Sequence, residues 1–331
     1  MILDGTSADA VAQAVKTLAR GELVAFPTET VYGLGADACS DAAVARIFAA
    51  KGRPSDHPLI VHVASAAAVP LFASEVPAFA QRLMQAFWPG PLTLILPRRA
   101  DRAAAAAGGQ ASIGLRCPAH PVAHALLQAC ARNEPAIDGL AAPSANKFGR
   151  VSPTTAQHVR SEFGESLLVL DGGPCRVGIE STIVDCTRGV PVLLRPGVLT
   201  QEQVAAACGQ PLRLPQDLQD EAPRASGTLE SHYAPRARVR LMDAAALQAA
   251  LDVLGADAPA IAAYARAILR TRSDKVLRRR MPDDAAEAAR QLFAVLREFD
   301  DRGVQLIWVE TPPDDPEWAG VRDRLQRAAA G

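Results

Sequence analysis

Apolar positions recur along this chain in two rhythms, and the changes from one to the other outline its elements. Ala10, Val11, Ala14, Val15 and Leu18 fall on one helical face, which predicts a helix over 7–20 closed by Gly21. The unbroken apolar run 23–26, halted by Pro27, predicts a buried strand. The same reading gives helices over 41–50, 76–87, 121–132 and 153–162, and strands over 58–63, 92–96 and 112–116. Strands then cluster at 167–170, 181–185 and 192–195.

Residues 1–200 therefore read as an α/β domain with a mixed, twisted sheet. Over 201–236 the periodicity weakens and Gln, Pro and Gly accumulate, the mark of a linker, with one short helix over 201–208. A second alternation starts at 237, with strands over 239–242, 260–264 and 305–310 and helices between and after them, at 283–300 and 319–329. That rhythm predicts a small parallel α/β domain over 237–331. It carries neither G-x-G-x-x-G nor a Walker A loop, so no nucleotide fingerprint marks it.

Composition narrows the classes. With 331 residues and 49% hydrophobic content the chain can bury substantial cores, and at 5% aromatic those cores rest on aliphatic packing. A formal net charge of −1 gives no global reason to bind nucleic acid. Cys39, Cys117, Cys130, Cys175, Cys186 and Cys208 form no C-x-x-C pair and fit neither a zinc site nor a disulfide scaffold. No basic-then-apolar leader opens the sequence and no apolar run would span a bilayer, so a soluble, cytoplasmic protein is expected.

Candidate chemistry is dispersed. Lys51-Gly52-Arg53-Pro54 closes a helix; the two cations either converge on a polyanion or simply complement the helix dipole. Ser152-Pro153 has the form of a helix start, with Ser152 as N-cap, and a helix start offers free N–H groups to a phosphate. Ser144 and Asn146, just upstream, either reach a ligand or brace a loop. On the 112–116 strand, Ser112, Gly114 and Arg116 share one face, a floor that a ligand can approach closely or a plain polar surface. His62 lies in an apolar strand, where a core histidine is the ordinary reading. His120 and His124 lack a third metal ligand and read as structural. The basic stretch 275–280 reads as a solvated face. No Ser-His-Asp or Cys-His arrangement points to nucleophilic catalysis.

Taken in order, several blocks resemble the YrdC-like family, in its long two-domain threonylcarbamoyl-AMP synthase form. They are Phe26-Pro27-Thr28-Glu29-Thr30-Val31-Tyr32-Gly33-Leu34, Lys51-x-Arg53-Pro54, Pro58-Leu59-Ile60-Val61-His62, Trp88-Pro89-Gly90-Pro91-Leu92-Thr93, Pro143-Ser144-Ala145-Asn146, Gly178-Ile179-Glu180-Ser181-Thr182-Ile183-Val184-Asp185 and Arg195-Pro196-Gly197. The likeness is dense over 1–200, resumes at Ser226-Gly227 through His232-Tyr233-Ala234-Pro235, and loosens beyond, returning at Asp323-Arg324-Leu325.

The resemblance implies a concave cavity in the first domain where L-threonine, bicarbonate and ATP become L-threonylcarbamoyl-AMP, with pyrophosphate released. By the same likeness, Thr30, His62, Arg116 and Ser181 would hold threonine, Arg116 taking its carboxylate bidentately. Arg53, His57, Ala142, Ser144, Ser152, Ser112, Arg195 and Tyr233 would line the ATP site. Lys51, Arg53, Ser144 and Asn146 would carry the catalytic roles, Mg²⁺ would arrive with ATP, and the linker around Tyr233 would fold back as a lid. His57 stands where the family often has Asn, and 258–264 fits the family poorly. The product would pass to machinery that modifies tRNA, with weak or indirect tRNA contact by this chain and none with a membrane. The competing class is an RNA-binding, translation-associated module using Lys51, Arg53, Arg116 and Arg150. Carbamoyl transfer to another acceptor is a third reading, but the cysteines of the zinc-finger segments that usually accompany it are missing.

Overall fold

The computed structural model describes residues 1–218, 222–229, 232–257 and 260–331. The chain opens with β1 (Ile2–Asp4), α1 (Ala8–Ala19), β2 (Val24–Phe26), β3 (Gly33–Asp37), α2 (Asp41–Lys51) and β4 (Ile60–His62). It continues through α3 (Ala78–Phe87), β5 (Leu92–Pro97), β6 (Ser112–Arg116), α4 (Pro121–Ala131), β7 (Leu140–Ala141) and α5 (Ala156–Phe163). Next come β8 (Leu168–Asp171), β9 (Thr182–Asp185), β10 (Val192–Arg195) and α6 (Gln201–Cys208). The last part holds β11 (Arg238–Met242), α7 (Ala244–Leu254), β12 (Ala262–Ala265), β13 (Leu277–Arg280), α8 (Ala285–Asp301), β14 (Leu306–Glu310) and α9 (Ala319–Ala329).

Ten strands form one mixed sheet in the order β1-β8-β2-β3-β7-β4-β6-β5-β9-β10. Aliphatic side chains cover both faces: Leu18 and Leu126 pack with Val24, Phe26 and Leu170, while Ile47 and Leu83 pack with Leu34, Leu94 and Leu115. A second sheet, β11-β14-β12-β13, is parallel throughout. There α8 and α9 cover one face through Phe293, Leu296 and Leu325, and α7 covers the other through Leu247 and Leu251. Among the described residues no helix is long and apolar enough to cross a membrane.

The two sheets share a core. Val31, Val151 and Ile179 from the first part pack in the cluster built by α8 and α9. Glycines allow backbone to meet backbone there. A Cβ at Gly178 (φ 84) would lie 2.4 Å from Arg290 Cα, and one at Gly320 would lie 2.5 Å from the Gly197 carbonyl oxygen.

Local chemistry sets the ends that matter. The Ser40 hydroxyl caps α2, and Gly52, at φ 65, ends it in a left-handed turn between Lys51 and Arg53. Thr200 opens α6 with a full capping box. The helix predicted over 153–162 starts instead at Ala156, because the Thr155 hydroxyl, not Ser152, accepts the His158 N–H. Ser152 lies buried upstream and donates to Glu180, so no helix start presents it to a phosphate. β1, β3, β7 and β13 left no readable pattern. The stretch 275–280 contains strand β13, paired with β12, although Arg278, Arg279 and Arg280 are exposed as the solvated-face reading has it. Ala258, in the poorly fitting run, and positions 230–231 of the linker motif lie outside the described residues.

Candidate active site

A cavity with an empty volume of about 480 Å³ lies over the central strands of the large sheet. β4 and β6 are parallel neighbours that pair His62 with Arg116, which brings both side chains to its wall. Thr30, from the turn before β3, and Ser181, at the head of β9, join them.

Arg116 is buried and three of its five N–H groups are committed: Nε to the Gly90 carbonyl at 3.3 Å, Nη1 to Thr30 Oγ1 at 2.8 Å, Nη2 to Glu29 Oε1 at 2.6 Å. The other two N–H groups have no partner among the described residues. Glu29 is fixed in turn by the Ala119 N–H at 3.0 Å. Ser181 Oγ is 2.8 Å from Thr93 Oγ1 and accepts from Arg195 Nη2 at 3.2 Å. Burial, reinforced by the Arg116 charge, lowers the His62 pKa to about 3, so its imidazole is neutral.

The other half of the wall is cationic. Arg53, Ala142, Ser144, Arg195 and Tyr233 line it. Arg53 Nη2 donates to the Pro58 carbonyl at 2.9 Å, and its guanidinium lies 5.7 Å from the Phe148 ring centroid. Lys51 lies behind Ser144, donating to the Ser144 carbonyl at 2.6 Å and to the Asn146 carbonyl. Burial and then the Arg53 charge push its ammonium pKa well down. Asn146 Nδ2 donates to the Lys147 and Arg150 carbonyls at 2.7 and 2.9 Å, which braces the same loop. Arg195 ties the 181 backbone to the linker, donating to Ser181 O at 2.9 Å and to Ser226 O at 2.7 Å.

The linker crosses the opening. Ser226, Gly227, His232 and Tyr233 line the cavity, with Tyr233 buried at φ 60, a strained region for a side-chain-bearing residue. Among the described residues, Arg53 Nε, His62 Nδ1, Asn146 Oδ1 and His232 Nδ1 are buried without a hydrogen-bond partner. Buried polar atoms are rarely left so, and their gathering in and beside one cavity suits a polar ligand.

Other residues singled out by the sequence lie apart from this wall. His57 lines an adjoining cavity that shares Arg53, Gly227 and His232 with the first. Ser152 stands behind Glu180, and Ser112 lies four residues along β6 from Arg116, about 13 Å at strand spacing. Arg150 is absent from the lining; half-exposed, it faces Glu162 and Asp300. His120 caps α4, its Nδ1 accepting from the Val122 N–H.

Three residues that matter to the wall received no role from sequence: Glu29, Glu180 and Arg324. The available signal was a carboxylate inside each of two apolar blocks, which requires a buried countercharge. Glu29 finds Arg116, and Glu180 finds Arg324 at 2.8 Å from the last helix of the chain.

Residues 16–197 match the Sua5/YciO/YrdC family model, described as "Telomere recombination", and residues 199–330 match "Threonylcarbamoyl-AMP synthase, C-terminal domain". The threonylcarbamoyl-AMP synthase of Pyrococcus abyssi is 39% identical over 93% of this chain and 91% of its own length. That of Bacillus subtilis is 38% identical over 97% and 93%. The solved structure of P. abyssi Sua5 complexed with L-threonine superposes with a TM-score of 0.86 at 36% identity, covering 96% of this chain and 94% of that one. With this identity sustained across both sheets and the linker between them, the chain belongs to the threonylcarbamoyl-AMP synthase family.

Proposed function

We propose that this chain joins L-threonine, bicarbonate and ATP into L-threonylcarbamoyl-AMP, releasing pyrophosphate and water. The observation that carries the reading is one cavity whose wall combines an Arg-Thr-Ser-His group with a cluster of buried cations. The threonine held by the P. abyssi relative supports placing the amino acid at the first group.

In this reading the two free N–H groups of Arg116 take the threonine carboxylate, and Thr30, Ser181 and neutral His62 orient the rest. The threonine amine, as free base, attacks the carbon of bicarbonate or CO2 to give a carbamate. A carbamate oxygen then attacks the α-phosphorus of ATP, and pyrophosphate departs. Arg53, Arg195 and Ser144 would face the phosphates, with Lys51 and Asn146 bracing the Ser144 loop from behind. His57 would sit at the adenosine end, beside Phe148. Positioning alone can supply about 7–11 kcal/mol, more than one acid–base group contributes. Carbamates revert to amine and CO2, so closure by the linker would protect the intermediate.

Mg²⁺ would arrive with the nucleotide as Mg-ATP and neutralise the departing pyrophosphate. The product would be handed to the transferase machinery that modifies tRNA, this chain touching tRNA weakly or through a partner.

The test is pyrophosphate release from Mg-ATP with threonine and bicarbonate present or omitted singly. Release that requires both is expected. Release indifferent to threonine would overturn the assignment.

A further inference from the structure

We propose that Arg324, on α9 of the second sheet's domain, is a positioning residue for the nucleotide side of the cavity; this rests on the function proposed above. One guanidinium holds three segments of the wall. Nε donates to Glu180 Oε2 at 2.8 Å, and Nη2 to the Glu180 carbonyl at 3.1 Å. Nη1 reaches the Pro196 carbonyl, next to Arg195, at 2.8 Å, and Asp323 Oδ2 at 2.7 Å. Its Cζ lies 5.2 Å from the centroid of the Tyr233 ring. The side chain is fully buried, with 0% exposure.

Charge explains the arrangement. Glu180 is the carboxylate among the described lining residues, in a cavity read as receiving a triphosphate. Unneutralised, it would repel that ligand. Burial pushes its pKa up, but Arg324, then Arg195 and the Ser152 hydroxyl, hold it below the ordinary carboxylate value. It is therefore an anion whose field Arg324 cancels from behind. The same contact fixes which way Glu180 faces, and the ring contact seats Tyr233 in the linker.

Docking of the second domain needs none of this. Glycine contacts and the shared aliphatic core already join the two parts, and a buried ion pair stabilises less well than apolar packing of its size. Arg297, on α8, grips the neighbouring strip by donating to the Ser152 carbonyl at 3.3 Å. The C-terminal domain thus acts as the back wall of the nucleotide site.

The experiment compares full-length wild type with Arg324→Met, Arg324→Lys, Glu180→Gln and the Arg324→Met/Glu180→Gln double variant. Affinity for Mg-ATP and for threonine is measured by calorimetric titration, with melting curves and pyrophosphate kinetics alongside. For Arg324→Met, Mg-ATP affinity should fall on the order of 100-fold, within the range caused by leaving one partner of a buried, hydrogen-bonded charge pair alone at a binding site. Threonine affinity should fall much less, because Arg324 reaches Ser181 only through Glu180 and Arg195. Adding Glu180→Gln should recover roughly tenfold, because it removes the orphaned charge that couples the two positions. Arg324→Lys should lie between. Unchanged Mg-ATP affinity in Arg324→Met, or parallel loss of both ligands with no recovery in the double variant, would overturn the proposal. Should Arg324→Met fail to fold, Arg324→Lys and Glu180→Gln decide, and wild-type Mg-ATP affinity in both would overturn it equally. Binding is read without turnover. Wild type that binds Mg-ATP but releases no threonine-dependent pyrophosphate would sink the functional reading and leave this comparison standing.

Discussion

Replacing Arg116 by Lys isolates what the guanidinium fork contributes to the end of the cavity that we assign to threonine. The positive charge opposite Glu29 is kept, so the buried carboxylate is not orphaned. The planar fork is lost. In the native chain Nη1 and Nη2 serve Thr30 and Glu29 at 2.8 and 2.6 Å and each retains one N–H for a carboxylate. An ammonium has three N–H groups and no plane; with Glu29 and Thr30 satisfied, at least one of the two bonds to the ligand goes. A hydrogen bond to a charged group contributes about 1.5–3 kcal/mol, so threonine should bind roughly 10- to 150-fold more weakly. Calorimetric titration with threonine reads this directly, and Mg-ATP serves as the control ligand. If threonine affinity were unchanged in a variant that melts like wild type, Arg116 would not be the carboxylate site.

Three further outcomes are expected. His62 and His232 have pKa values lowered to about 3, and His158 to about 4, each chiefly by burial. Below pH 6.5 the unfolded chain binds protons on them that the folded chain does not, so stability falls from pH 6.5 toward 4, by up to about 1.4 kcal/mol per pH unit for each. His158→Gln, remote from the cavity lining, should make denaturant midpoints fall less steeply over that window; an unaltered slope would exclude this origin. Gly178→Ala puts a methyl 2.4 Å from Arg290 Cα at φ 84 and should cost about 2–5 kcal/mol, seen as a lower melting temperature. Gly227→Ala drives a Cβ to 2.2 Å from the Tyr233 hydroxyl and 2.6 Å from Arg195 Nη1. It should lift the linker, with faster proteolysis around 222–229 and slower pyrophosphate release; wild-type values for both would count against the lid.

What the sequence disclosed depended on how far each signal reaches along the chain. The end of α2 was legible because Gly52 separates Lys51 from Arg53 within one turn. The alternation in β6 placed Arg116 on the cavity face, yet it also suggested Ser112, which the length of the strand carries away from the wall. Ser152 was misread as a cap because the helix begins three residues on, where the Thr155 hydroxyl accepts the His158 N–H. β3 escaped because two of its five residues are glycine, and β7 because it has only two residues. Glu29 and Glu180 meet their arginines across 87 and 144 residues, a separation over which no local pattern carries information.

The glycine-mediated contact between the two sheets has a thermodynamic consequence. Separating them would strip Arg297 of carbonyl acceptors near Ser152, leave Glu180 without its counterion, and open a core that Val31 and Ile179 help to fill. Neither half then has an independent transition of its own, and calorimetry should give one peak whose van't Hoff and calorimetric enthalpies agree. A ligand that binds only the folded form raises the stability of the whole cooperative unit. Nucleotide seated over the large sheet would therefore raise the melting temperature of β11–β14 as well, although it touches none of those strands.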